Sequence, residues 1–323
     1  MARNDALLLS WIWRRLPTLA NVLYDAFAVP ALLGECRCKR THCLPQIKRM
    51  SVGTAGLRIG RIAVVTGDML MNSDFDRSVA ALDVSIFRIE SETTFEDRRS
   101  FLAIQNAVRN WKSEYVYLEC GSHLGGSLLP HVLDSRCRTL YSVDKRPPIQ
   151  PDERGVNFEY AHNSSQRMIS TLARYVTANV LAKLRTFDKD AGELTVRDIE
   201  EKPDLVLIDA EHTNAAVFSD FLHIYRLCHS STVYIFHDAN LIWSGLENIE
   251  MFLRYSGVAF ESYVVPGVVY LLALNETRDI LQPVGAKLGM DKQRFAMRSR
   301  EDLMKTHYEI VRQFLARQQQ PST

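Results

Sequence analysis

The chain has 323 residues, 46% of them hydrophobic and 24% charged, an ordinary globular composition with material for a sizeable core. Its formal net charge of +1 argues against nucleic acid as a partner, because a broad nucleic-acid footprint needs a strongly basic face. A transmembrane span is not expected either, since no stretch of about 20 apolar residues runs uninterrupted.

Residues 6–33, "ALLLSWIWRRLPTLANVLYDAFAVPALL", come nearest to such a stretch, but Arg14, Arg15, Pro17, Asn21, Asp25 and Pro30 break it. The arginines also fall inside the apolar part, unlike the layout of a secretory signal. The segment reads as a helix that packs or docks on a surface, with weak membrane association as the alternative. Next comes "CRCKRTHC", where Cys36, Cys38, His42 and Cys43 crowd together. A structural zinc site joins two separated ligand pairs, and no matching second pair follows, so this is a polar basic loop. The remaining cysteines, Cys120, Cys137 and Cys228, are scattered as in a reduced, cytoplasmic protein. Residues 57–66 and 82–88 have the look of strands. Residues 95–112 carry Phe101, Ile104, Ala107, Val108 and Trp111 at helical spacing.

From residue 115 a regular alternation sets in. "YVYLE" (115–119) is an apolar strand followed by the glycine-rich "CGSHLGGS" and a helical "SLLPHVLDS". "TLYSVD" (139–144) and "VNFEYAH" (156–162) read as the next strands. The run 164–184 has helical periodicity with Ser164 or Ser165 as its N-cap. "PDLVLID" (203–209) and "STVYIFHD" (231–238) are strands that end on acids, each followed by a helix. Strands apolar on both faces and alternating with helices predict a doubly wound, mostly parallel α/β sheet. "VAFESYVV" and "VVYLLAL", joined by Pro266–Gly267, leave room only for an antiparallel hairpin at the sheet edge. The expected organisation is an N-terminal extension over 1–111, acting as a lid or oligomer contact, a sheet domain over 112–280, and a helical tail over 281–323.

In such a sheet, ligands bind beyond the carboxyl ends of the strands. Those ends carry Glu119 and Gly121, Asp144, His162 to Ser165, Asp209 to His212, and His237 with Asp238. Gly121, Gly125 and Gly126 let the backbone approach a ligand closely. Asp144, 23 positions after Gly121, is placed to accept ribose hydroxyls. The spacing departs from the G-x-G-x-x-G of a dinucleotide fold, and Glu119 beside the first glycine would repel a pyrophosphate and favour a cationic ligand.

The stretches "YLECGSHLGGSLL", "LYSVDKRP", "NFEYAHNSS", "DLVLIDAEHTNAAVFSDF" and "VYIFHDAN" resemble class I S-adenosylmethionine-dependent methyltransferases. The resemblance runs toward the metal-dependent small-molecule and sugar O-methyltransferases, over roughly residues 112–275, and it implies a Rossmann-like seven-stranded sheet. It also implies that Glu119, Gly121, Ser122, Gly125 and Ser127 meet the methionine end of the cofactor. By the same likeness, Asp144 holds its ribose and His162, Asn163 and Ser164 border its adenine. Asp209 and Asp238 would ligate Mg²⁺ or another hard divalent cation, either as two acids alone or with one of His237, Glu211 or Asn240 as a further ligand, His237 standing where relatives often carry an acid. His212, in a D-x-x-H arrangement with Asp209, would be the general base. His123 could touch ligand or be a plain loop residue, and Trp243 could wall the acceptor pocket or fill a helix interface. The implied activity is methyl transfer to a hydroxyl of a small molecule. The alternatives are a non-catalytic adenosyl-binding scaffold and, less favoured by the loop spacing, a nicotinamide-dependent oxidoreductase. A homo-oligomer is compatible with all three.

Overall fold

The computed structural model describes residues 67–318, with side chains described from 73 to 316. The segment 6–33, the cysteine-rich stretch and the strand expected over 57–66 lie outside the described residues. Helix α1 (Gly67–Ala81) and helix α2 (Phe95–Trp111) precede the sheet. The strand expected over 82–88 is instead a single 3₁₀ turn at Val84–Ile86. Asp83 accounts for this, because its side chain accepts a hydrogen bond from Ser85 N at 3.0 Å and caps the turn. Thr94 starts α2 with a reciprocal capping box to Asp97, so the first turn of that helix is fixed by its own side chains.

The chain then gives β1 (Tyr115–Cys120), α3 (Leu128–Leu133), β2 (Cys137–Val143), β3 (Ile149–Pro151), β4 (Asn157–Glu159), α4 (Ser165–Leu172), α5 (Ala178–Leu181), β5 (Leu184–Phe187) and β6 (Leu205–Ile208). After these come α6 (Asn214–Tyr225), β7 (Val233–Phe236), α7 (Trp243–Tyr255), β8 (Phe260–Val265), β9 (Val269–Leu274), α8 (Thr277–Leu288) and α9 (Lys292–Gln318). Seven strands form one sheet in the order β5-β2-β1-β6-β7-β9-β8. The five strands from β5 to β7 run parallel, and β9 and β8 close the edge as the expected antiparallel hairpin. No helix among the described residues is long and apolar enough to cross a membrane.

Two elements differ from the sequence reading. The segment 156–162 does not enter the main sheet; β4 pairs only with β3, as a separate hairpin. Its side chains alternate between exposed and half-buried, too little burial for an interior strand. The sheet position expected for it belongs to β5, "LRTF", whose first residue, Leu184, closes the helical run read over 164–184. That run is in fact two short helices, broken between Leu172 and Ala178.

Successive residues of β1 point to opposite faces of the sheet, as pleating requires. Val116, Leu118 and Cys120 pack with Phe221, Ile224, Leu246 and Leu253 from α6 and α7. Tyr115 and Tyr117 pack with Leu102, Val108, Leu128 and Leu281 from α2, α3 and α8 on the other face. At about 1.5–3 kcal/mol for each fully buried large side chain, these two layers hold the strand ends rigidly in register.

Candidate active site

Strand order reverses between β1 and β6, so a crevice opens beyond their carboxyl ends. The ladder continues one residue past each strand. Gly121 N donates to Val143 O at 2.8 Å, Asp144 N to Phe187 O at 3.0 Å, Asp209 N to Cys120 O at 2.8 Å and His237 N to Ile208 O at 3.2 Å. Residues spread over more than a hundred positions of sequence therefore stand level along one edge. A cleft of about 1120 Å³, its open mouth included, lies against them, and Gly121, Ser122, Ser127, Asp144, Asn163, Asp209, His212, His237 and Asp238 all line it.

One half of the cleft is the glycine loop with Asp144. Gly121 adopts φ +90°, and a Cβ there would sit 2.0 Å from the carbonyl oxygen of Asp209, so no other residue fits. Asp144 is anchored by its own surroundings. Its Oδ2 accepts from His123 N at 3.0 Å and its Oδ1 from Arg146 N at 2.8 Å. A carboxylate held by two backbone donors, with its remaining lone pairs toward the cleft, suits a pair of vicinal hydroxyls.

Glu119 differs from its expected role as a charged wall. It is fully buried under the loop and does not line the cleft; it accepts from Tyr117 Oη at 2.7 Å and Ser127 Oγ at 3.0 Å. Burial pushes its carboxyl up to about 8, against the hydrogen bonds from Tyr117 and Ser127, so it carries a proton at neutral pH. Gly125, His162 and Ser164 are likewise outside the walls. A Cβ on Gly125 would press on Met168 and Leu172, and Ser164 is the N-cap of α4, accepting from Arg167 N at 3.2 Å. Of the segment expected to border the adenine only Asn163 lines the cleft, because β4, which leads into it, pairs with β3 outside the main sheet. The segment that follows the true third strand, with Lys189, Asp190 and Ala191, walls the cleft instead.

The other half is acidic. Asp209, His212 and Asp238 bring one ligand atom each to within 4.8 Å of one another. His212 Nε2 stands 3.4 Å from Asp209 Oδ1 and 3.3 Å from Asp238 Oδ2. Asp238 holds φ +51°, a left-handed conformation that Asp tolerates better than most residues and that turns its carboxylate back toward Asp209. Burial works to raise all carboxyls here, yet His237 and His212 hold Asp209 well below the usual carboxylate range. Asp238 rises, by burial first and the neighbouring Asp209 after that. His212 rises too, because Asp209 and Asp238 outweigh its burial. Two carboxylates and an imidazole at this spacing fit a divalent cation, which would release the repulsion between the acids.

His237 is placed differently from a ligand. Its Nδ1 is 3.1 Å from Asp209 Oδ1, and its Nε2 is 3.3 Å from Asp97 Oδ2. Nδ1 is hydrogen-bonded to Asp209, Nε2 is buried beside Asp97 without a hydrogen bond, and the group of ligand atoms that could surround a cation comprises Asp209, His212 and Asp238 and not His237. Asp97 itself was not among the sequence candidates. It falls inside the helix expected over 95–112, but nothing in the sequence joins it to a histidine 140 positions later.

The mouth of the cleft adds Glu90 to Thr93, Gln150 and Tyr160. Tyr160 Oη donates to Glu92 at 3.2 Å and its ring meets His123 edge-on at 5.1 Å. Its hydroxyl is raised by burial, then by Glu92, then by the charges of Asp209 and Asp238. Trp243, open between two roles in the sequence, is buried among Tyr270 and Phe295 and does not line the cleft.

Comparison with known proteins follows this geometry. Residues 118–239, from β1 to just past β7, match a family described as "Methyltransferase domain". No curated protein matches the chain in sequence. Among solved structures, an O-methyltransferase from Bacillus cereus in complex with S-adenosylhomocysteine aligns at 13% identity, covering 66% of this chain and 94% of its own, with a TM-score of 0.40. TomG, an O-methyltransferase from Streptomyces achromogenes in complex with S-adenosylmethionine, aligns at 13% identity over 64% of this chain and 89% of its own, TM-score 0.39. MycE, a methyltransferase of the mycinamycin pathway in complex with Mg and S-adenosylhomocysteine, aligns at 14% identity over 61% of this chain and 55% of its own, TM-score 0.38. Through residues 118–239 this chain is similar to a methyltransferase domain, carried on a Rossmann-like sheet of seven strands.

Proposed function

We propose that the chain is an O-methyltransferase that transfers the methyl group of S-adenosylmethionine to a hydroxyl of a small molecule, of sugar or secondary-metabolite type, with help from a divalent cation. The observation that carries this reading is the meeting of Asp209, His212 and Asp238 in the same cleft as Gly121, Ser122 and Asp144. Asp144 would take the ribose hydroxyls, the 121–127 loop would pass under the methionine end, and Asp209 and Asp238 would hold the cation. When bound, that cation lowers the pKa of an acceptor hydroxyl and fixes its direction. His212 would accept the hydroxyl proton as the new C–O bond forms and the C–S bond breaks. The mouth formed by Glu90–Thr93 and Tyr160 would receive the acceptor, and alignment of the two reactants there is worth up to about 7–11 kcal/mol.

The test is calorimetry followed by turnover. S-adenosylhomocysteine should bind and NAD should not. Mn²⁺ should bind the wild type and lose affinity in Asp209→Asn and Asp238→Asn. Methyl transfer to members of a hydroxylated panel should vanish on chelation. Binding of NAD in place of S-adenosylhomocysteine would overturn the reading, and cofactor binding without any transfer would favour the adenosyl-binding scaffold.

A further inference from the structure

Asp97 lies in the first turn of α2, ahead of the matched methyltransferase segment, yet it stands directly behind His237 of the cleft's acidic half. It is fully buried. Its Oδ2 accepts from Thr94 N and Thr94 Oγ1, both at 2.7 Å, and faces His237 Nε2 at 3.3 Å. Its Oδ1 accepts from Val268 N at 2.9 Å, in the turn between β8 and β9. That turn is shaped around it: a Cβ on Gly267 would fall 2.0 Å from Asp97 Oδ1. A carboxylate with this many fixed partners cannot swing. The His237 ring is packed between two carboxylates: Nδ1 is hydrogen-bonded to Asp209 at 3.1 Å, Nε2 lies 3.3 Å from Asp97 as a close charge contact without a hydrogen bond, and Phe101 of α2 meets the ring edge-on at 5.8 Å.

We propose that Asp97 is a positioning residue: through the His237 ring it fixes the orientation of the Asp209 carboxylate toward the cation site. Asp209 Oδ1 lies 3.1 Å from His237 Nδ1 and 3.4 Å from His212 Nε2, so the oxygen that meets the acidic cluster is the one the His237 ring holds. Without Asp97 the ring loses the carboxylate on its Nε2 side, and Asp209 loses part of the support that fixes this oxygen. Partners that orient ligands in this way are typically worth tenfold or more in metal affinity. Helix α2 is thereby a working part of the site and not only a cover for the sheet. The inference rests on the reading of Asp209 and Asp238 as cation ligands.

The experiment is a double-mutant cycle on the full chain, read by Mn²⁺ affinity and, separately, by S-adenosylhomocysteine affinity. Asp97→Asn should weaken Mn²⁺ by about 10- to 100-fold and leave S-adenosylhomocysteine unchanged. His237→Gln should weaken Mn²⁺ similarly, and adding Asp97→Asn to it should cost little more, because the aspartate acts through the ring. Additive losses, or an Asp97→Asn protein with wild-type Mn²⁺ affinity, would overturn the proposal. A wild type that binds S-adenosylhomocysteine but no Mn²⁺ would instead remove the cation reading, and the positioning role with it. Should Asp97→Asn not fold, Asp97→Glu keeps the charge, moves it by one methylene and goes through the same cycle.

Discussion

The backbones of Gly121 and Asp209 approach so closely that a Cβ on Gly121 would lie 2.0 Å from the Asp209 carbonyl oxygen. The glycine loop and the acidic half of the site are thus one packed unit, with β1 and β6 as its two rails. Gly121→Ala must either push β6 away or abandon φ +90°. Left-handed strain and overpacking together suggest a loss of about 2–5 kcal/mol. Urea unfolding should show that loss, and S-adenosylhomocysteine binding should fall with it. A variant of wild-type stability and affinity would mean that the two strand ends can part without cost.

Much of this unit was legible in the sequence because the sheet strands are short, apolar on both faces and end on polar residues. Asp144, Asp209, His212 and Asp238 line the cleft because they follow directly on such strands. What escaped was set by partners remote in sequence. β5 has only four residues and two helical turns before it, so helical periodicity masked it. Glu119 shows an acid whose neighbours in space, not in sequence, decide whether it is charged. Asp97 was one unremarked residue of an expected helix, since its link to His237 depends on α2 packing on the face of the sheet.

Glu119 gives a pH prediction. Its folded-state pKa of about 8 stands above its ordinary value of 4.5, so the folded state binds the extra proton. The group's contribution to stability is present in full below the unfolded value and declines as pH rises toward 8. Between these limits the slope from this one residue is about 1.4 kcal/mol per pH unit. Glu119→Gln should flatten the fall between pH 5 and 8 in a urea series run across that range. An unchanged slope would show that Glu119 is ionised in the folded protein.

The unequal placement of the expected cofactor residues makes a contrast testable by calorimetry. His162→Ala and Ser164→Ala should leave S-adenosylhomocysteine affinity unchanged, since neither residue lines the cleft. Asp144→Ala removes a carboxylate from the hydroxyl site and frees His123 N and Arg146 N, so binding should weaken by about tenfold to a hundredfold. If His162→Ala were the weaker binder, the ribose and adenine would have to lie further along the β3–β4 hairpin than the cleft indicates.

His212 stands within reach of two roles, as base or as third ligand, and a single substitution separates them. Its Nε2 is 3.4 Å from Asp209 and 3.3 Å from Asp238, a span that fits a direct contact with both acids. The loop that carries it is fixed from the side: Glu153 N donates to His212 O at 2.9 Å, and Asn214 N donates to Glu153 Oε2 at 2.8 Å. His212→Gln should therefore leave the loop in place and change only the imidazole. A base lost from an otherwise intact site lowers turnover by about 10²–10⁴ while Mn²⁺ affinity stays. A ligand lost weakens Mn²⁺ itself, and excess Mn²⁺ then restores turnover. Because two carboxylates already supply the oxygen donors that a hard cation prefers, the first outcome is the expected one. Rescue by added Mn²⁺ would move His212 from the proton path to the metal.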